Sequence, residues 1–408
     1  MTAMFRCITE LKGLVVDVDS IYAELNEWAW VFEKYQCVFI TSKEDNARRL
    51  KVLYGENCVN KIEDYLKFFS PSPAMHEEAL RRMNLKTTEI AYVTGDKEFC
   101  NNAMAFLCGA IWITKEKITY EDVSIAPDLI CQTFASFKAR LEERVYGFYG
   151  EVIFSTEGDV KGYILPVMLE TDEEFLYVFM LGRYFGYSHY MNQLHPYSSA
   201  IYLNKREGRA FGVLDERFAK LYSAAVNRIK KSKQVDAVCS VPVRPGKQER
   251  FRNILQRIAS LCEVEDISSN FYCVSDYPTQ KNLSETARQE NVKGIFQYKG
   301  DLNGKNVVII DDIVTTGATI KECIKKLKQC GADNVYIVAL GVNQKKGTYW
   351  SSTVPQVSCQ ECGEKMNLFI NSMNKQFFYS CPGCNKTVSY EEGNKLLCNQ
   401  VNSEFDII

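Results

Sequence analysis

The stretch VVIIDDIVTTGAT, residues 307–319, constrains the fold of this chain more than any other. Its four leading apolar residues run directly into Asp311 and Asp312, and a segment of threonines and a glycine follows. A short apolar, β-branched run is typical of a parallel strand that is buried on both faces. Two adjacent carboxylates repel each other at such a place, and burying them without partners is costly. The flanking residues must therefore supply the compensation.

The residues after the threonines predict a helix and then another strand. Four apolar residues recur at the spacing of one helical face: Ile320, Cys323, Ile324 and Leu327. Gly331 is expected to end this helix at the C′ position. Residues 334–342, NVYIVALGV, read as the next strand. This βαβ unit is expected to be right-handed, with a ligand crevice at the carboxyl ends of its strands.

The acid pair and the threonine segment together fit a ribose 5-phosphate. The segment covers the N-terminus of the predicted helix, where backbone N–H groups and threonine hydroxyls bind a phosphate and a glycine allows close approach. The predicted phosphate loop consists of Thr315, Thr316, Gly317, Ala318 and Thr319. Asp311 and Asp312 cannot bind the same phosphate, but they can accept hydrogen bonds from the 2′- and 3′-hydroxyls about one sugar ring away. A solvated acidic turn without a ligand is the alternative.

All thirteen residues of this stretch resemble the phosphoribosyl pyrophosphate (PRPP) motif of type I phosphoribosyltransferases. The resemblance extends over residues 188–345 and is closest to ComF-like members, through SVPV at 240–243 and AIYLNKREGRAF at 200–211. It implies a doubly wound α/β domain that binds PRPP together with Mg²⁺. A domain that binds PRPP without turning it over remains the alternative.

The same resemblance implies a basic pyrophosphate loop after the strand that ends near residue 240. Arg244, Lys247 and Arg250 are suitable cations there, because guanidinium groups contact phosphates in a bidentate manner. The ComF-type Arg-Gly-Phe-Asn becomes Arg-Phe-Arg-Asn at 250–253, so the chain lacks a glycine that shapes this loop. Each of these cations could instead be an ordinary surface charge.

A second, polar loop at 275–300 corresponds to the mobile loop that closes over PRPP in the family. Lys281 and Arg288 lie in it, and the resemblance implies that they reach the pyrophosphate in the closed state. We expect them to act mainly in the transition state, and we therefore count them, with Asp311 and Asp312, as candidate catalytic residues.

Two Cys-x₂-Cys pairs stand eighteen residues apart near the C-terminus of the sequence. This spacing predicts a tetrahedral Zn²⁺ site with four thiolate ligands: Cys359, Cys362, Cys381 and Cys384. Two short strands, KMNLFINS and QFFYS, lie between the pairs, so the segment resembles a zinc ribbon. So small a unit has little core, and the metal is expected to supply its folding energy. Its few lysines do not indicate nucleic-acid binding.

Residues 1–135 resemble a haloacid-dehalogenase (HAD) phosphatase domain with a minimal cap. The resemblance assigns roles to side chains that follow its strands, with Asp17 as nucleophile, Asp19 as acid and base, and Thr41 and Asp96 in the same site. The usual Lys-Pro is replaced by Ser-Pro at 70–71, and the second Mg²⁺ acid is missing around 100–101. Because phosphoryl transfer needs cations, we expect weak or lost phosphatase activity. A retained phosphate or metal site remains open.

The predicted fold class is α/β, with a HAD-like Rossmannoid domain, a doubly wound type I phosphoribosyltransferase domain and a small zinc ribbon. The predicted units are a HAD-like domain, a linker helix with an aromatic, β-rich hood segment, the transferase domain, the ribbon and a tail: 1–135, 136–187, 188–345, 355–395 and 396–408. The hood segment is expected to form hairpins that cover the transferase site or an oligomer surface.

Composition limits the remaining possibilities. The formal net charge of −2 gives no overall indication of nucleic-acid or membrane binding. No apolar run approaches the ~18 residues of a membrane-spanning helix, and the first residues do not resemble a signal peptide. Most of the sixteen cysteines stand singly in apolar segments, which is typical of cytoplasmic proteins.

The sequence thus predicts a Mg²⁺-dependent phosphoribosyltransferase that transfers ribose 5-phosphate from PRPP to an unknown acceptor, namely a nucleobase, an amine or water. Structural Zn²⁺ is the second expected cofactor. A PRPP sensor without turnover is one alternative. An effector or scaffold of a bacterial stress or phage-defence system, with a protein partner or as a homo-oligomer, is the other.

Overall fold

The computed structural model of the 408-residue chain describes residues 11–60, 71–155, 160–170, 175–187, 189–192, 195–205, 211–276, 290–315, 317–345 and 356–403. Among these residues, none of the helices combines the length and the hydropathy that a bilayer crossing requires. Short 3₁₀ turns lie at Leu25–Trp28, Thr87–Glu89, Asp122–Ile125, Tyr190–Asn192 and Ser268–Asn270.

The N-terminal part forms a six-stranded sheet in which every pairing is parallel. Its strands are β1 Gly13–Asp17, β2 Gln36–Thr41, β3 Cys58–Asn60, β4 Ile90–Thr94, β5 Gly109–Ile113 and β6 Leu129–Cys131. They lie in the order β3-β2-β1-β4-β5-β6. The order reverses between β1 and β4, and a crevice outside the carboxyl ends of the strands is expected at that point. The predicted strands that end in Asp17 and Thr41 are therefore confirmed as neighbours.

Helices flank this first sheet: α1 Ala29–Lys34, α2 Glu44–Tyr54, α3 Pro73–Met83, α4 Lys97–Met104 and α5 Phe134–Glu142. Two of them begin at side-chain caps, because Ser72 accepts a hydrogen bond from the Met75 amide and Asp96 accepts from the amides of Glu98 and Phe99. The last helix confirms the predicted linker helix in a shorter form, and β7 Val145–Phe148 follows it.

The segment predicted to be a hood is placed at the edge of the second sheet. Helix α6 Tyr149–Ser155 occupies the first part of the predicted hairpin, and β8 Lys161–Tyr163 pairs with β7. Strands β9 Leu165–Glu170 and β10 Phe175–Met180 then form an antiparallel hairpin. Because β10 pairs in parallel with a strand near residue 337, this hairpin extends the sheet. The hairpin is thus confirmed for its second half only.

The second sheet carries the acid pair. Its further strands are β11 Arg183–Tyr184, β12 Ala237–Ser240, β13 Glu265–Asp266, β16 Val307–Val314 and β17 Val335–Asn343, and a separate two-stranded ribbon is formed by β14 Phe271–Cys273 and β15 Phe296–Tyr298. The order is β13-β12-β16-β17-β10-β9, with β11 paired to β17. All pairings except that of the edge hairpin are parallel.

Four helices belong to this part: α7 Pro196–Lys205, α8 Asp215–Lys230, α9 Arg252–Cys262 and α10 Ala318–Gln329. Helix α10 buries the four residues that the periodicity selected, and Gly331 has the positive φ of +90° expected just beyond the helix. The predicted strand–helix–strand unit is therefore confirmed.

The C-terminal part is a three-stranded antiparallel sheet, β18 Asn367–Ile370, β19 Phe377–Ser380 and β20 Thr387–Ser389, followed by helix α11 Tyr390–Ser403. The turn between the first two strands contains Lys375 with φ of +58°. Helix α11 reaches the N-terminal part, where the Asn402 side chain accepts hydrogen bonds from the amide and the hydroxyl of Thr88.

Candidate functional site

The acid pair lies inside a strand, whereas the sequence placed it at the strand's end. Strand β16 continues past the two acids because its pairing with β17 extends to the match of Val314 with Val342. Asp311 lies opposite Ala339, and both acids are half-buried. Tyr222 from helix α8 donates a hydrogen bond to the Asp311 carbonyl at 2.7 Å.

Two cations neutralise Asp312. The Arg250 guanidinium donates a hydrogen bond to its Oδ2 atom, and Lys205 Nζ lies 3.7 Å from the same oxygen. Burial opposes the ionisation of Asp312, but these two cations outweigh it and lower its pKa. Burial and the neighbouring Asp312 carboxylate raise the pKa of Asp311. Asp312 therefore carries the negative charge of the pair, while Asp311 keeps its proton to a higher pH than an ordinary aspartate.

The phosphate loop connects this strand to helix α10 through a left-handed residue. Gly317 is the N-cap of the helix with φ of +74°, a conformation that glycine adopts without strain. Thr315 is exposed, Ala318 is buried as the first helical residue, and Thr319 is half-buried in the first turn. The loop thus presents the end of a twelve-residue helix, where backbone N–H groups favour anions. Thr316 lies outside the described residues.

The pyrophosphate loop follows β12, as predicted, and borders an open cleft. Arg244, Gly246 and Lys247 line this cleft of about 550 Å³ together with residues of the β14 ribbon such as Tyr272. Arg244 lies 3.7 Å from the Asp276 carboxylate, and Arg250 points to the acid pair. The predicted residues Lys281 and Arg288 lie outside the described residues.

The four paired cysteines converge on one point. Their sulfur atoms all lie within 4.8 Å of one another, and the pairs Cys359–Cys384 and Cys362–Cys381 are 3.4 Å apart. A tetrahedral site with Zn–S bonds of ~2.3 Å requires sulfur–sulfur distances of roughly 3.8 Å. The cluster therefore fits a zinc ribbon.

Each Cys-x₂-Cys pair is closed by the same backbone turn. The Gly363 amide donates to the Cys359 carbonyl at 2.9 Å, and the Asn385 amide donates to the Cys381 carbonyl at 3.1 Å. Gly363 and Asn385 have positive φ angles of 77° and 59°. These two equivalent turns hold the thiols in place through the backbone.

The acids of the N-terminal crevice are occupied by neutral hydrogen-bond donors. Asp17 is buried and accepts from Ser20 Oγ at 2.7 Å and Thr94 Oγ1 at 2.9 Å. Asp19 accepts from Thr41 Oγ1 at 2.6 Å and from the amide and hydroxyl of Ser42. Burial acts to raise the pKa of Asp19, but the bonds from Ser42 and Thr41 lower it overall.

Asp96, the fourth residue predicted for this crevice, caps helix α4. The structure thus brings Asp17, Asp19 and Thr41 to adjacent strand ends, and it gives Asp96 a local role in the helix start. Lys97, the next residue, pairs with Asp122 at 2.6 Å. Among the printed contacts of the described residues, neither Asp17 nor Asp19 is paired with a cation.

Sequence reasoning missed two side chains of the acid-pair site. Lys205 ends helix α7, and its position beside Asp312 follows from a long-range packing that local periodicity does not encode. Tyr222 lies on the buried face of helix α8, so the sequence gives it only as a core residue. The AIYLNKREGRAF resemblance contained Lys205 and was the one available signal.

A mainly parallel sheet with an acid pair and an anion-binding helix start defines an α/β protein with a sugar-phosphate type of site. Residues 250–377 match the family model described as the phosphoribosyl transferase domain. The chain is 26% identical to competence protein F of Haemophilus influenzae over 138 residues, which cover 31% of this chain and 60% of that protein. It is therefore similar to that relative over somewhat more than half of the relative's length.

Two further relatives match shorter segments. DNA utilization protein YhgH of Escherichia coli is 39% identical over 62 residues, 15% of this chain and 27% of that protein. Transcriptional regulator GfcR of Methanocaldococcus jannaschii is 40% identical over 65 residues, 16% of this chain and 30% of that protein.

Solved structures give two partial matches. A purine phosphoribosyltransferase from Pyrococcus horikoshii covers 33% of this chain and 84% of its own, with 17% identity and a TM-score of 0.22. The core domain of a putative phosphoglycolate phosphatase from Streptococcus pneumoniae covers 32% of this chain and 96% of its own, with 20% identity and a TM-score of 0.25. Scores this low carry no argument about function.

Proposed function

We propose that the chain is a Mg²⁺-dependent phosphoribosyltransferase that uses PRPP. The observation that carries this proposal is the combination of Asp311 and Asp312 with a phosphate loop that enters a helix through Gly317. The acids lie on the strand that leads into the loop, so a sugar phosphate can engage both at once. The phosphoribosyl transferase family match over residues 250–377 includes this site.

In the proposed reaction, the bond between carbon 1 of the ribose and the pyrophosphate oxygen breaks, and carbon 1 bonds to the acceptor. Asp311 and Asp312 accept hydrogen bonds from the ribose hydroxyls and fix the ring. The helix start at Ala318 holds the 5-phosphate. Mg²⁺, when bound, neutralises charge on the pyrophosphate.

Arg250 and Lys205 stabilise the site before the substrate binds. Asp312 keeps its negative charge because both cations face it, so it is ready to accept a hydroxyl hydrogen bond. Arg250 also lies in the predicted pyrophosphate loop, one residue before Phe251, the N-cap of helix α9. We propose that it moves from the carboxylate to the pyrophosphate as PRPP enters. The acceptor is a nucleobase, an amine or water, and no side chain here is assigned as general base.

A non-catalytic PRPP sensor is the second candidate. One relative that shares a segment with this chain is named a transcriptional regulator, and another is named a competence protein. An effector or scaffold role in a bacterial stress or phage-defence system is the third candidate, with a protein partner or a second copy of the chain.

Pyrophosphate release measured beside PRPP affinity separates turnover from sensing. We expect Mg²⁺-dependent release with an acceptor among nucleobases, amines and water. Lys281→Ala and Arg288→Ala should slow release by about 10²-fold while changing affinity less than about tenfold, because they act mainly in the transition state. Lys305→Ala, which removes a surface pair with Glu265, is the matched control. Tight PRPP binding without release across the whole screen would favour the sensor.

The same proposal extends to the other two parts. The ribbon holds one structural Zn²⁺ on Cys359, Cys362, Cys381 and Cys384, in keeping with their convergence. The first sheet is a HAD-like domain with the units divided as the sequence suggests, and its crevice has little phosphatase activity.

A further inference from the structure

A strap formed by residues 114–126 connects the N-terminal part to the edge of the second sheet. It follows β5 and precedes β6, so it leaves the first sheet at the carboxyl end of a strand. The Tyr120 amide donates to the Met168 carbonyl at 3.0 Å, and the Met168 amide donates to the Ile118 carbonyl at 2.9 Å. These bonds pair the strap with β9, the edge strand of the second sheet.

The far end of the strap is fixed to the end of β17. Gln344 donates to the Val123 carbonyl at 2.9 Å and accepts from the Ala126 amide at 2.8 Å. The Lys345 amide donates to the Ser124 carbonyl at 2.7 Å. Gln344 is buried, so these bonds replace water for an amide that would otherwise lose its partners. The strap is thereby held to the second sheet at both ends.

Between these fixed ends, the strap contacts the strand that carries the acid pair. Tyr120 Oη donates a hydrogen bond to the Val314 carbonyl at 3.0 Å. Val314 is the last residue of β16 and stands three positions before Gly317. Leu169, the neighbour of Met168, lies beside Gly317, and a Cβ atom at that glycine would be 3.0 Å from its Cδ1. The strap and the strand that it pairs with thus support the loop from one side.

The strap is also tied to the crevice of the first sheet. Asp122 accepts from the amide and the hydroxyl of Thr119 at 2.8 and 2.6 Å. Its other oxygen pairs with Lys97 at 2.6 Å, directly after Asp96. These groups lower the pKa of Asp122 against the effect of burial, so it stays ionised. The residue next to Tyr120 is therefore held by a charge that comes from helix α4.

We propose that Tyr120 is a positioning residue for the phosphate loop, supplied by the N-terminal part of the chain. Its hydroxyl fixes the Val314 carbonyl, and so sets where the strand ends and the loop begins. Through Asp122 and Lys97, the same strap makes the loop sensitive to the state of the first crevice. The loop's ligand rests on the proposed function, but the contact with Val314 does not.

Hydrogen exchange of the protein without ligands tests the positioning itself. Tyr120→Phe removes only the hydroxyl, and we expect peptides that contain Val314 and Gly317 to exchange about three- to tenfold faster, as for the loss of one hydrogen bond. Tyr177→Phe, at a half-exposed tyrosine on β10, is the matched control and should leave those peptides unchanged. Equal exchange in Tyr120→Phe and the full wild-type chain would overturn the proposal.

Ligand affinity separates this proposal from the function on which it rests. We expect Tyr120→Phe to weaken ribose 5-phosphate binding about three- to tenfold and to leave pyrophosphate affinity and the thermal midpoint unchanged. Parallel losses of both affinities with a lower midpoint would show a merely structural tyrosine and overturn the proposal. Faster loop exchange in a protein that binds no ribose 5-phosphate would support the positioning and refute the proposed function.

The tie to the first crevice has its own variant. Lys97→Met removes the charge that holds Asp122 and leaves Tyr120 intact. We expect faster exchange at Val314 and Gly317, by a smaller factor than in Tyr120→Phe, because the strap is still fixed at Gln344. Unchanged exchange in Lys97→Met would show that the first crevice does not act on the loop, and would overturn that part of the proposal.

Discussion

Gly317 concentrates the demands of the site on one residue. It has a positive φ, it begins helix α10, and it lies against Leu169 of the edge hairpin. A side chain there would strain the backbone and push on its neighbour at the same time. Gly304 has nearly the same φ, +76°, but faces open space in a turn before β16. The two glycines therefore separate backbone strain from the effect on the loop.

Gly317→Ala should lose both stability and ligand affinity, whereas Gly304→Ala should lose stability alone. Each variant places alanine in the left-handed region, at a cost of about 1–2 kcal/mol. Only Gly317→Ala also displaces Leu169 or the loop, so only it should weaken ribose 5-phosphate binding, by at least about tenfold. Calorimetry and urea unfolding of both proteins check this. Equal affinities in the two variants would contradict the assignment of the loop.

Asp17 illustrates how a catalytic residue type can serve a structural role. It is buried and bonded to the hydroxyls of Ser20 and Thr94, and the Gly95 amide donates to the same serine at 2.8 Å. A carboxylate held this way stabilises the switch point of the sheet. A nucleophile for phosphoryl transfer would also need cations to offset the developing charge.

The purified chain should show little hydrolysis of generic phosphomonoesters in the presence of Mg²⁺. We expect rates far below the ~1–10³ s⁻¹ of ordinary enzymes. Asp17→Asn should change this background little, because Asp17 is engaged with neutral donors. A rate in the ordinary range that Asp17→Asn abolishes, while Asp45→Asn on exposed helix α2 retains it, would refute this account.

At the scale of elements, local patterns predicted the unit around the acid pair. Apolar runs and helical spacing defined β16, α10 and β17, and the glycine after the helix marked its end. These features depend on neighbouring residues, which is why the sequence contains them. The acids were placed one step too late because charged residues rarely continue a buried strand, and only the pairing with β17 shows that this strand does.

The edge hairpin shows what local patterns cannot predict. Its strands alternate buried and exposed residues and were predictable as strands, but their pairing with β17 joins residues more than 150 positions apart. The same holds for the strap contact with Val314 and for Lys205 beside Asp312. Helix α6 was read as a strand because its residues are aromatic and β-branched, and tertiary packing overrode that preference.

The ribbon should carry one Zn²⁺ per chain. Cys381→Ser removes a ligand and should lower the zinc content to well below one, with loss of the local fold, because the metal supplies its folding energy. Cys330→Ser, a half-buried cysteine outside the cluster, is the matched control and should keep the metal. Elemental analysis of both proteins checks this. Undiminished zinc in Cys381→Ser would refute the site.

At the scale of the whole molecule, one buried ionic network joins the two large sheets. Arg183 of β11 is fully buried and pairs with Asp128 at 2.7 Å and Glu151 at 3.0 Å. Asp128 also accepts from the Ala110 amide of β5 in the first sheet. His195 lies 3.5 Å from Glu151. Such a network is costly to bury but demands one relative placement of its partners.

Arg183→Met should destabilise the chain by about 3–5 kcal/mol, because it leaves the carboxylates of Asp128 and Glu151 buried without their cation. Lys305→Met is the control, since its pair with Glu265 lies at the surface, and it should cost no more than about 1 kcal/mol. Urea unfolding followed by tryptophan fluorescence measures both. A similar small loss for the two variants would contradict a structural role for the network.

The central claim is that the acid pair and the phosphate loop together bind PRPP. Asp312→Asn alone also frees Arg250 and Lys205, so the double variant Asp311→Asn, Asp312→Asn is compared with Asp17→Asn, which changes a buried acid in the other sheet. Titration calorimetry with Mg²⁺ and PRPP is the most direct measurement. The account predicts binding to the wild-type chain and to Asp17→Asn, and affinity weaker by at least about tenfold in the double variant. Equal affinity in all three proteins would contradict it.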